Sequence, residues 1–130
     1  MFQDLFVDHL VYRVRDTALA ADFYQRLFGD PTFRAGEAFA YQVGPTLLFF
    51  TPASPGNAPY DKEQPGLNHI ALGTGDPAQL RAIAAHLDTV GIKHSGIGID
   101  AHGKKEYIWL NYPDGFRLEF YCRPSPENPV

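Results

Sequence analysis

Two histidines sit in matching surroundings, His9 in the run VDHLVYRV and His69 in LNHIALGT, 60 residues apart. Glu119 lies in a third apolar run, FRLEFYC. Two imidazoles and one carboxylate form the donor set of a facial-triad metal centre. Such a set suits Fe(II), and Mn, Ni, Co or Zn can also take it, with positions left open for water and substrate. A divalent ion would also compensate the carboxylate, whose burial without a partner costs several kcal/mol.

Strands must carry these donors, because side chains alternate between the two faces of a strand. His9 then shares a face with Val7, Val11 and Arg13, and His69 with Leu67 and Ala71. Glu119 shares one with Arg117 and Tyr121, while Phe116, Leu118, Phe120 and Cys122 take the face expected to pack on a helix. All three donors thus point away from the helix side. If two repeated sheets curve toward each other, the donors converge.

The helices repeat as the histidines do. In the first, Asp16 is the expected N-cap, Leu19, Phe23 and Leu27 fall on one face, and Gly29 is the stop. In the second, Asp76 caps, Pro77 takes the first helical position and Gln79 completes a capping-box pattern. Leu80, Ile83, Leu87 and Val90 share its face, and Gly91 ends it. Asp16 and Asp76, Phe23 and Ile83, and Leu27 and Leu87 are again each 60 apart. A unit this long repeated only twice is a duplication rather than a solenoid.

Short β-rich runs follow each helix: FAYQV (39–43) and TLLFF (46–50), then EYIWL (106–110) and FRLEFYC (116–122). Gly44-Pro45 joins the first pair, and a turn at Pro113-Asp114-Gly115 joins the second. Each half reads as strand, helix, then two or three strands. Four prolines between 51 and 66 mark an extended linker, and the tail RPSPENPV is expected to be loose.

At 130 residues the chain has room for one domain, here 1–130, with module one at about 6–51, a Pro-rich linker at about 52–65 and module two at about 66–122. Hydrophobic residues at 45% are enough for a real core. A net charge of −4 argues against a nucleic-acid partner. No apolar stretch reaches the length of a membrane span, and the acidic start MFQDLF lacks a basic n-region, so it is not read as a signal peptide. Cys122, the single cysteine, fits a reducing, cytoplasmic location.

The segments DHLVYRVRDTALAADFYQRLFG, GLNHIALGT and YPDGFRLEFY, in this order, resemble the vicinal oxygen chelate superfamily. This is the glyoxalase / bleomycin resistance / extradiol dioxygenase group, and the likeness covers roughly 6–122. The resemblance implies an α+β fold of two βαβββ modules forming a cupped mixed sheet. It places metal ligands on the first and last strand of each module, which His9, His69 and Glu119 match. Leu48 stands at the position taken as equivalent to Glu119, and leucine cannot ligate. That departs from the four-ligand glyoxalase I lyases and is similar to the extradiol dioxygenases and fosfomycin-modifying transferases.

The expected activity is a metal-dependent oxidoreductase, a ring-cleaving dioxygenase with Fe(II) favoured, acting on a small molecule with two adjacent oxygens. The alternatives are a glyoxalase-type lyase, a fosfomycin-type transferase, or a non-catalytic drug-binding resistance protein. Tyr41, Leu48, Phe50, Trp109, Arg117 and Tyr121 are expected to line the cup. Tyr107, an aromatic of the cup, and His94 and His102, in the polar loop KHSGIGIDAHGKKEY, are the candidate catalytic residues, the two histidines as acids or bases. The family resemblance also implies a homodimer.

Overall fold

A computed structural model describes residues 2–56 and 58–124, so most of the tail, 125–130, lies outside the described residues. The chain forms two compact units, 1–58 and 59–130, divided within the Pro-rich linker.

The first unit runs β1 (His9–Val14), α1 (Thr17–Phe28), β2 (Phe33–Ala35), β3 (Ala38–Val43) and β4 (Thr46–Pro52). Its sheet has the order β1-β4-β3-β2, with β1 parallel to β4 and the other pairs antiparallel. The second unit repeats this with β5 (Ile70–Thr74), α2 (Pro77–Thr89), β6 (Gly98–Ile99), β7 (Glu106–Tyr112) and β8 (Phe116–Cys122), in the order β5-β8-β7-β6. The α+β fold of two βαβββ modules is therefore present. Both histidine strands start later than their apolar runs. His9 is the first residue of β1, and His69 immediately precedes β5. β4 continues through Pro52.

Caps set the helix starts. The Asp16 carboxylate accepts from the Leu19 N–H at 3.0 Å, and that of Asp76 from the Ala78 N–H at 2.9 Å. Gly29 ends α1 at φ 83°, a left-handed conformation that favours glycine. The capping box forms differently from expectation. The Asp76 N–H donates to the Thr74 hydroxyl at 3.2 Å, and that hydroxyl in turn bonds Gln79. Thr74 sits between the two partners of the usual box.

In the first unit Ala20, Phe23, Tyr24 and Leu27 of α1 are buried, as are Phe39, Tyr41, Leu48 and Phe50. Leu19, expected on the buried face, is 56% exposed. It lies about 90° round the helix from the centre of the buried stripe at 100° per residue. Leu19→Ala is therefore expected to change stability by less than about 0.5 kcal/mol in urea unfolding. In the second unit Leu80 and Leu87 of α2 are fully buried, with Ile108, Leu110, Leu118, Phe120 and Cys122 on the sheet. Ile83 and Val90 are only half-buried. No helix among the described residues is long and apolar enough to cross a membrane.

Candidate metal and substrate site

The face of the second sheet away from α2 carries the site. Parallel pairing sets Ala71 opposite Glu119 and Gly73 opposite Tyr121, and β7 sets Trp109 opposite Glu119 and Tyr107 opposite Tyr121. Alternation along β8 divides the strand as its sequence predicts, with Leu118, Phe120 and Cys122 buried and Arg117, Glu119 and Tyr121 on the other face. A cleft of about 1120 Å³ opens there. His69, His102, Tyr107, Arg117, Glu119 and Tyr121 all line it.

His69 is oriented for ligation. Its Nδ1 faces Asn68 Oδ1 at 2.7 Å. The Asn68 amide nitrogen donates to the Lys62 carbonyl at 3.1 Å, which assigns Oδ1 to the histidine. Nδ1 is then the donor to Asn68, and Nε2 lies 3.6 Å from Glu119 Oε2. His9 repeats the device within the first unit, with Nδ1 held by the Asp8 carboxylate at 2.8 Å. In both units the residue before the histidine supplies the oxygen that Nδ1 meets. Such outer partners commonly orient metal-binding imidazoles.

Glu119 is the only charged residue in the buried class among those described. Arg117 lies beside it, with Nε at 3.1 Å and Nη2 at 3.0 Å from Oε2. The guanidinium also lies over the Trp109 ring, 4.7 Å from its centroid. Trp109 therefore backs Arg117 and does not itself line the cleft. Among the described residues no three His, Cys, Asp or Glu side chains gather into one cluster. The second unit by itself brings together two donors, His69 and Glu119.

Several expected site residues lie elsewhere. Tyr41, Leu48 and Phe50 are core rather than cleft wall, because they take the α1 face of the first sheet. The Tyr41 hydroxyl donates to the Gly29 carbonyl at 2.8 Å. The position equivalent to Glu119 also moves by one. Ala71 pairs with Glu119, and Val11, its counterpart 60 residues earlier, pairs with Phe49 rather than Leu48. Phenylalanine cannot ligate either. His94 is structural: Nδ1 accepts from the Gly96 N–H at 3.0 Å and Nε2 bonds Asp88 at 2.7 Å, so both ring nitrogens are used.

The sequence reading missed Asp100, Gly103 and Arg123. Asp100 Oδ2 accepts from the Gly103 N–H at 2.8 Å and from the Tyr121 hydroxyl at 3.0 Å. The Gly103 bond, more than the others, holds the Asp100 carboxyl below its usual range. Burial first, then Asp100, pushes the Tyr121 phenol up, which keeps the proton on Tyr121. A Cβ on Gly103 would fall on the Tyr121 hydroxyl, so the approach of Tyr121 to Asp100 needs glycine here. The legible signal was DAHG, an aspartate three residues before a glycine, a pattern of turns closed by an aspartate side chain.

Residues 6–120 match the profile of the Glyoxalase/Bleomycin resistance protein/Dioxygenase superfamily. The chain is 35% identical over 74 residues to the uncharacterized protein YaeR of Escherichia coli K12, a stretch covering 57% of this chain and 54% of that protein. The match thus spans about half the length of that curated relative. Its fold is similar to a glyoxalase/bleomycin resistance protein/dioxygenase from Alicyclobacillus acidocaldarius, with TM-score 0.73, 19% identity and 98% of each chain covered. It is also similar to the fosfomycin resistance protein FosX from Mesorhizobium loti, with TM-score 0.66, 15% identity and 100% of each chain covered.

Proposed function

We propose that this chain, which belongs to the Glyoxalase/Bleomycin resistance protein/Dioxygenase superfamily, is a metal-dependent enzyme acting on a small substrate with two adjacent oxygens. The observation that carries this reading is His69. Its Nδ1 is bonded to Asn68 Oδ1, which turns Nε2 toward Glu119 Oε2, 3.6 Å away. Donors about 2.0–2.2 Å from one ion stand roughly 3–3.6 Å apart, so the pair fits a divalent cation. His9, oriented by Asp8 in the same manner, is the proposed third ligand. When bound, the ion would be chelated by the two adjacent substrate oxygens and would stabilise negative charge developing on them. Two histidines and a carboxylate favour Fe(II), and with it ring opening of a catechol-type substrate by O₂, both of whose atoms would enter the product.

The chain's own residues do the rest. Arg117 holds the Glu119 carboxylate in place while stacked on Trp109. Tyr107 and His102 line the cleft and are the proposed groups that exchange a proton with the substrate. Tyr121, with its proton directed to Asp100, pins the 100–103 turn beside them. A homodimer is part of the proposal.

One observation favours a second reading. Arg117 already satisfies Glu119, so the cleft could hold a small molecule with no metal. Elemental analysis of anaerobically purified protein decides between them. Wild type is expected to hold about one divalent metal per chain, and His69→Ala and Glu119→Ala to lose it. Iron directs the substrate search to catechols, and nickel, zinc or manganese to lyase and transferase substrates. No metal after incubation with each of these ions overturns the enzyme reading and leaves a binding protein.

A further inference from the structure

We infer that residues 60–68, which lead into His69, are a built part of the metal site, and that Tyr60 is a positioning residue for the histidine. This rests on the metal-dependent reading above and adds to it how one donor is held.

His69 gains little from the sheet. The β5–β8 ladder begins one residue later, where Ile70 stands opposite Leu118. The His69 side chain is 38% exposed, against 8% for Glu119, which sits at the centre of β8. A half-solvated side chain at the end of a strand has several rotamers open to it, and selecting one opposes metal binding. A ligand set works only when its members are held to within about 0.5 Å, so another element must hold this ring.

The loop before it does so. The Tyr60 hydroxyl donates to the Leu67 carbonyl. The Asn68 amide nitrogen donates to the Lys62 carbonyl at 3.1 Å. These two bonds cross the loop and fix Leu67 and Asn68, the residues just before His69. Within the loop, the Asp61 carboxylate accepts from the Glu63 N–H at 2.9 Å and the Asp61 carbonyl from the Gln64 N–H at 3.1 Å. Such an aspartate closes a turn with its own side chain. The base of the loop is seated on β8. The Tyr60 ring meets that of Phe116 edge-on, with centroids 4.7 Å apart, and a Cβ on Gly115 would stand 3.5 Å from the Tyr60 carbonyl. Phe116 opens the strand that carries Glu119. Both donors are therefore referenced to β8, Glu119 directly and His69 through Tyr60.

A departure from the internal repeat points the same way. Asp8 stands 60 residues before Asn68, each next to its histidine. An ionised carboxylate only accepts hydrogen bonds, whereas a carboxamide accepts on its oxygen and donates from its nitrogen. Asn68 does both, with Oδ1 on His69 Nδ1 at 2.7 Å and Nδ2 on the Lys62 carbonyl. An aspartate here would meet the ring and lose the loop. The asparagine is the residue that joins the two.

Co(II) tests this, because its visible absorption reports ligand geometry as well as affinity. Metal-free wild type, Tyr60→Phe and Asn68→Ala are titrated with cobalt chloride, beside urea unfolding of each without metal. Tyr60→Phe keeps the ring on Phe116 and removes only the hydroxyl, and Tyr60 does not line the cleft. This variant is expected to bind Co(II) about threefold to tenfold more weakly, as for one neutral hydrogen bond, with an altered visible band and an unmoved urea midpoint. Asn68→Ala is expected to lose about 10–100-fold, the range for removing an outer partner of a metal-binding imidazole. Wild-type affinity and spectrum in Tyr60→Phe overturn the positioning role and leave the metal-dependent reading standing. A metal-free urea midpoint that falls along with the affinity also overturns it, as the mark of a loop that only stabilises the fold. Wild type that takes up no Co(II) overturns both.

Discussion

Arg117→Ala is expected to lower the unfolding free energy of the metal-free protein by about 3 kcal/mol, toward the low end of what breaking a buried ion pair costs. The Glu119 side chain is 8% exposed, and Nε and Nη2 of Arg117 both reach the same carboxylate oxygen. Removing the guanidinium leaves a charge that water cannot reach well. The low end applies because Arg117 itself is partly exposed, with 23% of its side chain accessible. The variant also loses the contact between the arginine and the Trp109 ring.

The direction of the metal effect separates the two functional readings. If His69 and Glu119 are ligands, Zn(II) or Mn(II) replaces the missing positive charge, and the loss shrinks on adding metal. Urea unfolding with and without the ion measures this. A loss that metal does not reduce speaks for a purely structural pair. No loss at all would show that Glu119 is better solvated than its burial indicates. Arg117→Lys should fall between, since it keeps a charge but neither the fork nor the flat stack on Trp109.

Phe50→Ala should destabilise the chain by about 3–5 kcal/mol, the range for deleting a buried phenylalanine. Phe50 is 1% exposed. Its ring centroid lies 4.0 Å from that of Tyr24 and 4.9 Å from those of Phe39 and Tyr12. Deletion leaves a cavity among aromatic rings that cannot close over it. The same substitution should leave metal content unchanged. A wall of the substrate cleft would show the reverse, a small stability change with altered ligand binding. Urea unfolding beside elemental analysis reads both.

The two results bear on residues whose roles differ between sequence and structure. Phe50 and Tyr41 looked like cleft residues because an aromatic on a strand suits either face. A one-residue difference in register exchanges those faces. Leu48 was set opposite the wrong partner for the same reason, and only the ladder pairing Val11 with Phe49 resolves it. His94 and His102 lie in one polar stretch and look alike in sequence. Ser95 bonds both ways to the Trp109 backbone, at 2.9 and 3.0 Å, and His94 turns to Asp88 while His102 lines the cleft. Leu19 fits a helical spacing, yet the aromatic stripe of Phe23 and Tyr24 sets which arc is buried.

Local patterns alone determined the duplicated strand–helix–strands unit, both Asp N-caps, and the division of β8 into Leu118, Phe120 and Cys122 on one face and Arg117, Glu119 and Tyr121 on the other. Each follows from contacts a few residues long, where backbone geometry enforces periods of 3.6 and 2. The sequence also marked His69 and Glu119 as potential donors. Tertiary structure decided what surrounds them. The 3.6 Å approach of His69 to Glu119 joins residues 50 apart in the chain, and the Asp100–Tyr121 bond residues 21 apart. Such meetings depend on which strands pair and in which register, and that is set by the burial of the whole sheet against its helix rather than by any one segment.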